Sequence, residues 1–155
     1  MRLSRLLLGA LALALLAAPL FADHKLSGTF KKTESGLQYA EVKPGKGAGA
    51  AKGQTLGMLY RGWIYDTEKG RQGVQFDANL NRKKPFEFVL GAGRVIKGWD
   101  EGVLGMKKGA KRVLIIPPEL GYGDKGAGGV IPPGATLLFE VEVVSIKGEA
   151  AQTIQ

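Results

Sequence analysis

Val95-Ile96-Lys97-Gly98-Trp99-Asp100-Glu101-Gly102-Val103-Leu104-Gly105 is the stretch that reads as a helix, and it sets what the rest of the chain must do. Ile96, Trp99 and Val103 recur at spacings of three and four, which lines them along one helical face. Gly105 stands where a glycine commonly closes a helix. No other segment shows a comparable helical period, and a helix this short cannot bury its apolar face alone. Another layer must cover it.

That layer reads as sheet. Phe86, Phe88 and Leu90 alternate with Glu87 and Val89, a period of two. Lys111 to Ile116 is β-branched and apolar enough for a central strand, and Pro117-Pro118 closes it. In Thr136 to Ile146, Leu137, Phe139, Val141 and Val143 share one face while Glu140 and Glu142 point the other way. Gln54 to Tyr65 reads as a strand followed by a longer connection, and Leu37 to Val42 as a weaker strand. Lys43 to Gly53 (KPGKGAGAAKG) reads as a loop. The 24 glycines are about twice the roughly 7% background, which favours turns over a helical bundle. The expected class is α+β, a curved antiparallel β-sheet wrapped around one short α-helix.

Residues 1–22 read as a secretory signal peptide. Arg2 and Arg5 precede an apolar run from Leu6 to Ala18, and Pro19 and Phe21-Ala22 come before the polar Asp23-His24-Lys25. The competing reading is a retained anchor, because the uncharged run from Leu6 to Ala22 approaches the length of a membrane span. Either reading puts the remainder outside the cytoplasm, periplasmic or secreted, with no stable membrane insertion once the signal is removed. Residues 23–34 are a polar, flexible lead-in, and residues 148–155 a C-terminal tail. At 155 residues and 45% apolar, the chain is sized for one packed domain.

Several chemistries have no residues to support them. There is no cysteine, which removes disulfides, thiol catalysis and cysteine-ligated zinc. The single histidine, His24, falls near the start of the mature chain, away from any folded pocket. Gly121-Tyr122-Gly123-Asp124-Lys125-Gly126 matches a dinucleotide fingerprint in letters only, since prolines flank it and no helix follows. Gly93 and Gly98 have phosphate-loop spacing, but Trp99-Asp100 occupies the Lys-Ser/Thr positions. Asp100 and Glu101 are adjacent, so on a helix they diverge instead of sharing a site. The formal charge of +8 reads as a solvated basic surface, and Arg82-Lys83-Lys84 and Lys107-Lys108 read as solvated turns. No nucleic-acid partner, metal or cofactor is expected.

The informative residues are aromatic. Tyr60, Phe76, Phe86, Trp99, Tyr122 and Phe139 fall on separate expected elements and, on spacing alone, read as core. Their surroundings say more. Ser35-Gly36-Leu37-Gln38-Tyr39, Tyr60-Arg61-Gly62, Phe76-Asp77, Lys84-Pro85-Phe86-Glu87-Phe88, Val95 to Gly102, Gly121-Tyr122-Gly123, Ile131-Pro132-Pro133 and Leu138 to Val143 follow one another in a fixed order. In that ordered set the chain from Ser35 to Ile146 closely resembles the FKBP-type peptidyl-prolyl cis-trans isomerases. The corresponding domain is taken as residues 35–147.

The resemblance implies a half-open sheet wrapped on the helix, with a shallow apolar cleft between them. Trp99 would floor the cleft beneath a proline ring, with Tyr60, Phe86, Val95, Ile96 and Phe139 as walls. Phe76 and Tyr60 would lie near the rotating carbonyl. The Ile96 backbone N–H and the Tyr122 hydroxyl would hold the peptide, Asp77 would pair with Tyr60 or a polar ligand group, and Val130 and Ile131 would cover one side. Substrates would be proline-containing unfolded or folding polypeptides, with macrolide-type inhibitors as further ligands. The alternative of a non-catalytic chaperone or peptide-binding module on the same fold also fits the resemblance. Two departures stand out. Fifteen residues separate Tyr60 from Phe76, longer than in simple members, so the segment Asp66–Gly73 should protrude near the cleft. The loop after Tyr122 carries Ala127 and Gly128-Gly129 where some members are bulkier.

Overall fold

The computed structural model describes residues 29–151. Among these residues nine strands and one α-helix run in the order β1 (Lys31–Lys32), β2 (Gln38–Lys43), β3 (Lys46–Gly49), β4 (Thr55–Asp66), β5 (Arg71–Asn79), β6 (Phe86–Val89), α1 (Lys97–Gly102), β7 (Lys107–Lys108), β8 (Lys111–Ile116) and β9 (Leu137–Lys147). The main sheet is antiparallel in the order β1-β2-β8-β9-β4-β5, with β6 also paired to β4. A separate ribbon joins β3 to β7. The expected α+β class, an open curved sheet on one short helix, is the observed architecture.

Alternation along the strands sorts side chains between two faces. Leu137, Phe139, Val141 and Val143 of β9, with Leu114 and Ile116 of β8, join Leu56 and Met58 of β4 in a core that also takes Trp99, Val103 and Met106 from the helix side. Leu138, Val113, Ile115 and Trp63 form a smaller cluster on the opposite face. Burial of a large apolar side chain contributes about 1.5–3 kcal/mol, so this inner face supplies most of the stabilisation. Helix α1 comes close to β8 because it offers no side chain at the contact. A Cβ on Gly98 would lie 2.5 Å from Cγ2 of Ile116, and one on Gly102 would lie 2.9 Å from Cδ1 of Leu114. These glycines, four residues apart, make a flat stripe against the strand.

The local reading needs four corrections. The end of the expected lead-in is a strand, since Lys31 and Lys32 pair with Tyr39 and Gln38. The expected Lys43–Gly53 loop contains β3 and the expected Lys107-Lys108 turn is its partner β7, neither with apolar alternation to reveal it. β4 runs twelve residues, and what reads as a connection after it is the continuing hairpin with β5. The helix is shorter than its period: Ile96 is the N-cap and Val103 the C-cap. Gly105, at φ +76°, lies in the following turn and donates its N–H to the Ala50 carbonyl, so it does not cap the helix. The expected signal segment lies outside the described residues.

Candidate active site

Strand β4 organises the site. Its first half pairs with β6 (Met58 opposite Phe86) and its second half with β5 (Gly62 opposite Asp77), while β9 runs along its other edge. Tyr60 thus falls where three strands meet, facing α1. The pairing of β4 with β5 skips Phe76, passing from Gly62–Asp77 directly to Trp63–Gln75. Such a bulge carries one extra residue and re-aims its side chain. Here it directs Phe76 onto Phe139, 5.5 Å between centroids and nearly perpendicular.

Trp99, 4% exposed, is the centre of the ring cluster. It meets Tyr60 at 5.2 Å, Phe139 at 5.4 Å, Phe88 at 5.8 Å and Phe86 at 6.0 Å, all edge to face. Edge-to-face pairs are each worth about 0.5–1.5 kcal/mol beyond area burial, so the floor is rigid. The surface above it is open: Phe86 and Tyr122 are more than a third exposed. Gly62 makes room for two of the walls. A Cβ there would sit 2.7 Å from Cε1 of Phe139 and 2.8 Å from Cζ of Phe76.

One rim is polar. The Tyr60 hydroxyl donates to Oδ2 of Asp77 at 2.7 Å. Burial, then the bond to Asp77, hold Tyr60 far above the ordinary tyrosine range. Burial also raises Tyr122, helped by the charge of Asp77. Tyr60, Asp77 and Tyr122 therefore share one electrostatic neighbourhood, with both hydroxyls kept as neutral donors.

The opposite rim is the loop before α1. Val95 and Ile96 are half-buried against the core cluster, and the Ile96 carbonyl accepts the N–H of Trp99 at 2.9 Å. Asp100 fixes this loop: its Oδ1 accepts the N–H of Gly91 at 2.8 Å and its Oδ2 that of Gly93 at 3.2 Å. Glu101 points elsewhere and accepts the Ser35 hydroxyl, so the adjacent acids do diverge. Beyond Tyr122, backbone bonds between Ala127 and Ile131 close a tight loop. Ile131 is 5% exposed and belongs to the core cluster, whereas Val130 at the tip is 60% exposed.

The structure thus gathers Tyr60, Phe86, Trp99 and Phe139 in direct ring contact, with Phe76 joined through Phe139 and Asp77 through Tyr60. Three contributors were not singled out as site residues from sequence. Phe88 read as strand core but touches Trp99, Gly62 carried no chemistry to announce it, and the partners of Asp100 lie seven and nine residues back in a loop. A recess of about 790 Å³ lies mainly on the other face of the sheet, lined by Val42, Leu59, Leu80, Arg82 and Glu142 among others, and Tyr60 is the only cluster ring in its lining. No group of acids or histidine among the described residues is arranged to hold a metal.

Comparison with known proteins follows the same residues. The profile of the family described as FKBP-type peptidyl-prolyl cis-trans isomerase matches residues 47–144. The chain is 50% identical over 111 residues to an FK506-binding protein of Neisseria meningitidis serogroup B, covering 72% of this chain and 96% of that one. It is 59% identical over 95 residues to FK506-binding protein 2B of Rhizopus delemar, covering 61% of this chain but 43% of the relative, so less than half of that longer protein is represented. Among solved structures it is similar to FkpA from Escherichia coli, at 40% identity and a TM-score of 0.66, covering 76% of this chain and 51% of that one. The ring-lined cleft, the order of its motifs and these matches together place the chain in the FKBP-type peptidyl-prolyl cis-trans isomerase family.

Proposed function

We propose that the chain accelerates cis–trans rotation about Xaa-Pro bonds by binding the twisted amide in the cleft above Trp99. The observation that carries this reading is the convergence of Tyr60, Phe86, Phe88 and Phe139 on one buried indole beside a polar rim. Rotation of a peptide bond is opposed by about 18–20 kcal/mol of lost amide resonance. A twisted amide separates less charge than a planar one, so an apolar cleft favours it over the ground state. A reduction of about 5–6 kcal/mol gives roughly 10⁴-fold acceleration. The protein's part is selective binding of that geometry.

In this reading Trp99 receives the proline ring, while Phe76 and Tyr60 border the rotating carbonyl. Phe86, Val95, Ile96 and Phe139 enclose the ring. The Ile96 N–H and the neutral Tyr122 hydroxyl hold the flanking peptide, and Asp77 keeps Tyr60 oriented. Val130 and Ile131 divide the remaining role: Ile131 anchors the loop and exposed Val130 meets the substrate. The same cleft suits macrolide ligands, as the names of the FK506-binding relatives suggest.

We further propose that the chain works outside the cytoplasm on exported polypeptides. The support is the Arg2/Arg5 start and the apolar Leu6–Ala18 run. A protease-coupled assay on a proline peptide, with Phe76→Ala and Trp99→Leu beside wild type, tests the catalytic reading. Acceleration by wild type that both variants largely lose is the expected result. Peptide binding without acceleration assigns the cleft to a non-catalytic binding module instead.

A further inference from the structure

Two stretches of the chain, residues 42–65 and 102–118, contain no carboxylate. They carry Lys43, Lys46, Lys52 and Arg61 in the first, and Lys107, Lys108, Lys111 and Arg112 in the second. The fold lays these stretches against each other. Lys43 pairs opposite Lys111 where β2 meets β8, and Lys46 opposite Lys108 where β3 meets β7, with Lys107 opposite Gly49. Like charges directly opposite each other on a sheet are destabilising. Glu142 offsets Lys111 at 3.5 Å, and the nearby Glu41 is engaged by Arg112. Lys43, Lys46, Lys107 and Lys108 are exposed and make no ion pair among the described residues. Folding therefore concentrates uncompensated positive charge at one end of the molecule.

This end lies past the C-terminal end of α1. Ribbon β3–β7 is tied to the turn after α1 through the N–H of Gly105 on Ala50 and of Ala50 on the Met106 carbonyl. The cleft instead opens at the other end of α1, beside Ile96 and Trp99. A role in holding proline does not account for the ribbon.

We propose that the β3–β7 lysine ribbon docks the protein on an anionic phospholipid surface. The residues between the lysines favour lipid over other polyanions. Pro44, Gly45, Gly47, Ala48, Gly49 and Gly109 offer no aromatic ring for stacking a base and no polar side chain for reading one. Lysine is a mobile, strongly hydrated point charge without arginine's fixed fork. Such a surface has little geometric selectivity and suits repeated, laterally mobile phosphate headgroups. The small intervening side chains let the lysines reach such a surface unobstructed. A lysine near an anionic membrane is worth about a fivefold gain in partitioning, an effect that decays within a Debye length.

The test is sedimentation of the full chain with vesicles of phosphatidylcholine containing 30% phosphatidylglycerol, in parallel with pure phosphatidylcholine. Wild type is compared with the triple variant Lys46→Gln, Lys107→Gln, Lys108→Gln. Any contribution of the apolar N-terminal run is common to both chains and cancels. At about 0.1 M salt the variant should bind the anionic vesicles about 100-fold more weakly, and the gap should close at about 1 M. Pure phosphatidylcholine should not distinguish the chains. The variant should unfold at a temperature no lower than wild type, since opposed charges have been removed, and should isomerise a proline peptide equally well. If the triple variant folds poorly, Lys46→Gln with Lys108→Gln removes only one opposed pair and should show a gap of about 25-fold. Equal binding of wild type and variant to anionic vesicles overturns the proposal, as does a gap that persists at high salt. Preferential binding of polyglutamate or oligothymidylate over the vesicles also overturns it, by assigning the ribbon to a polypeptide or nucleic acid.

Discussion

The Tyr60 hydroxyl donates to Asp77 at 2.7 Å across the β4–β5 hairpin, joining the edge of the ring cluster to the polar rim of the cleft. Burial and this carboxylate both oppose loss of the hydroxyl proton, so Tyr60 titrates far above its ordinary value, and Tyr122 is raised as well. Both hydroxyls then remain donors beyond pH 10, near the ordinary value of about 10. The proposed isomerase activity should be flat from pH 7 to 10. Stability has a definite sign. In the unfolded chain these groups lose protons near pH 10, whereas in the folded chain they do so higher, so their contribution to stability is constant below that pH and is lost as pH rises above it. Denaturant titrations at pH 8 and pH 10.5 check this, and Tyr60→Phe should reduce the alkaline loss. An activity decline centred below pH 9 that Tyr60→Phe or Tyr122→Phe abolishes contradicts the assignment.

Phe76 and Trp99 separate catalysis from folding. Phe76 is a half-buried ring on a bulge whose ring contact is Phe139. Phe76→Ala should reduce kcat/KM more than tenfold while destabilising by only about 1–2 kcal/mol, below the about 3–5 kcal/mol of a fully buried ring. Trp99 touches four rings and is nearly sealed, so Trp99→Leu should lose both activity and about 2–4 kcal/mol of stability. Denaturant melts and coupled-assay kinetics on the same preparations decide the point. Equal stability losses in the two variants would mean that Phe76 is core and does not form a cleft wall.

What sequence revealed and what it concealed follow one physical division. β8 was legible because Val113 to Ile116 is an unbroken apolar run and β9 because Leu137, Phe139, Val141 and Val143 alternate, and Phe139 was placed correctly on the inner face. The helix was legible through Trp99 and Val103, but its true limits were not, because Ile96 keeps the period while serving as N-cap. β1, β3 and β7 are short and built from Lys, Gly and Ala, so no side-chain pattern marks them; only their backbone bonds do. Within the site, ordered motifs identified the rings, since each ring falls within or beside a distinctive local string. The bulge at Phe76 and the space above Gly62 depend on strand register, which no single segment encodes.

Gly62 tests that register directly. An alanine methyl there would meet Phe139 and Phe76 at 2.7 and 2.8 Å, far inside contact distance. Both obstacles are rings of the proposed cleft, so relief must come from moving them. Gly62→Ala should destabilise by about 1–3 kcal/mol, as overpacking does, and lower kcat/KM for proline peptides more than tenfold. A stability loss with unchanged kinetics would show that the chain relaxes without disturbing the two rings.

Asp100 stands beside Trp99 in sequence yet acts on the opposite rim. Its two oxygens hold the Gly91 and Gly93 amides, and these bonds fix the loop that ends in Val95 and Ile96. Hydrogen bonds to a charged group contribute about 1.5–3 kcal/mol, with exposed ones at the low end. Asp100→Ala frees both amides. Asp100→Asn retains one carbonyl acceptor and turns an NH₂ toward the second amide, so it should fall between wild type and the alanine variant. The loop positions the Ile96 N–H without Asp100 touching the substrate, so its loosening should raise KM more than it lowers kcat. Hydrogen exchange at Gly91 and Gly93 should quicken in the order wild type, Asn, Ala, and KM should follow that order. Faster exchange without a change in KM would confine the aspartate to stabilising the loop and remove it from substrate positioning.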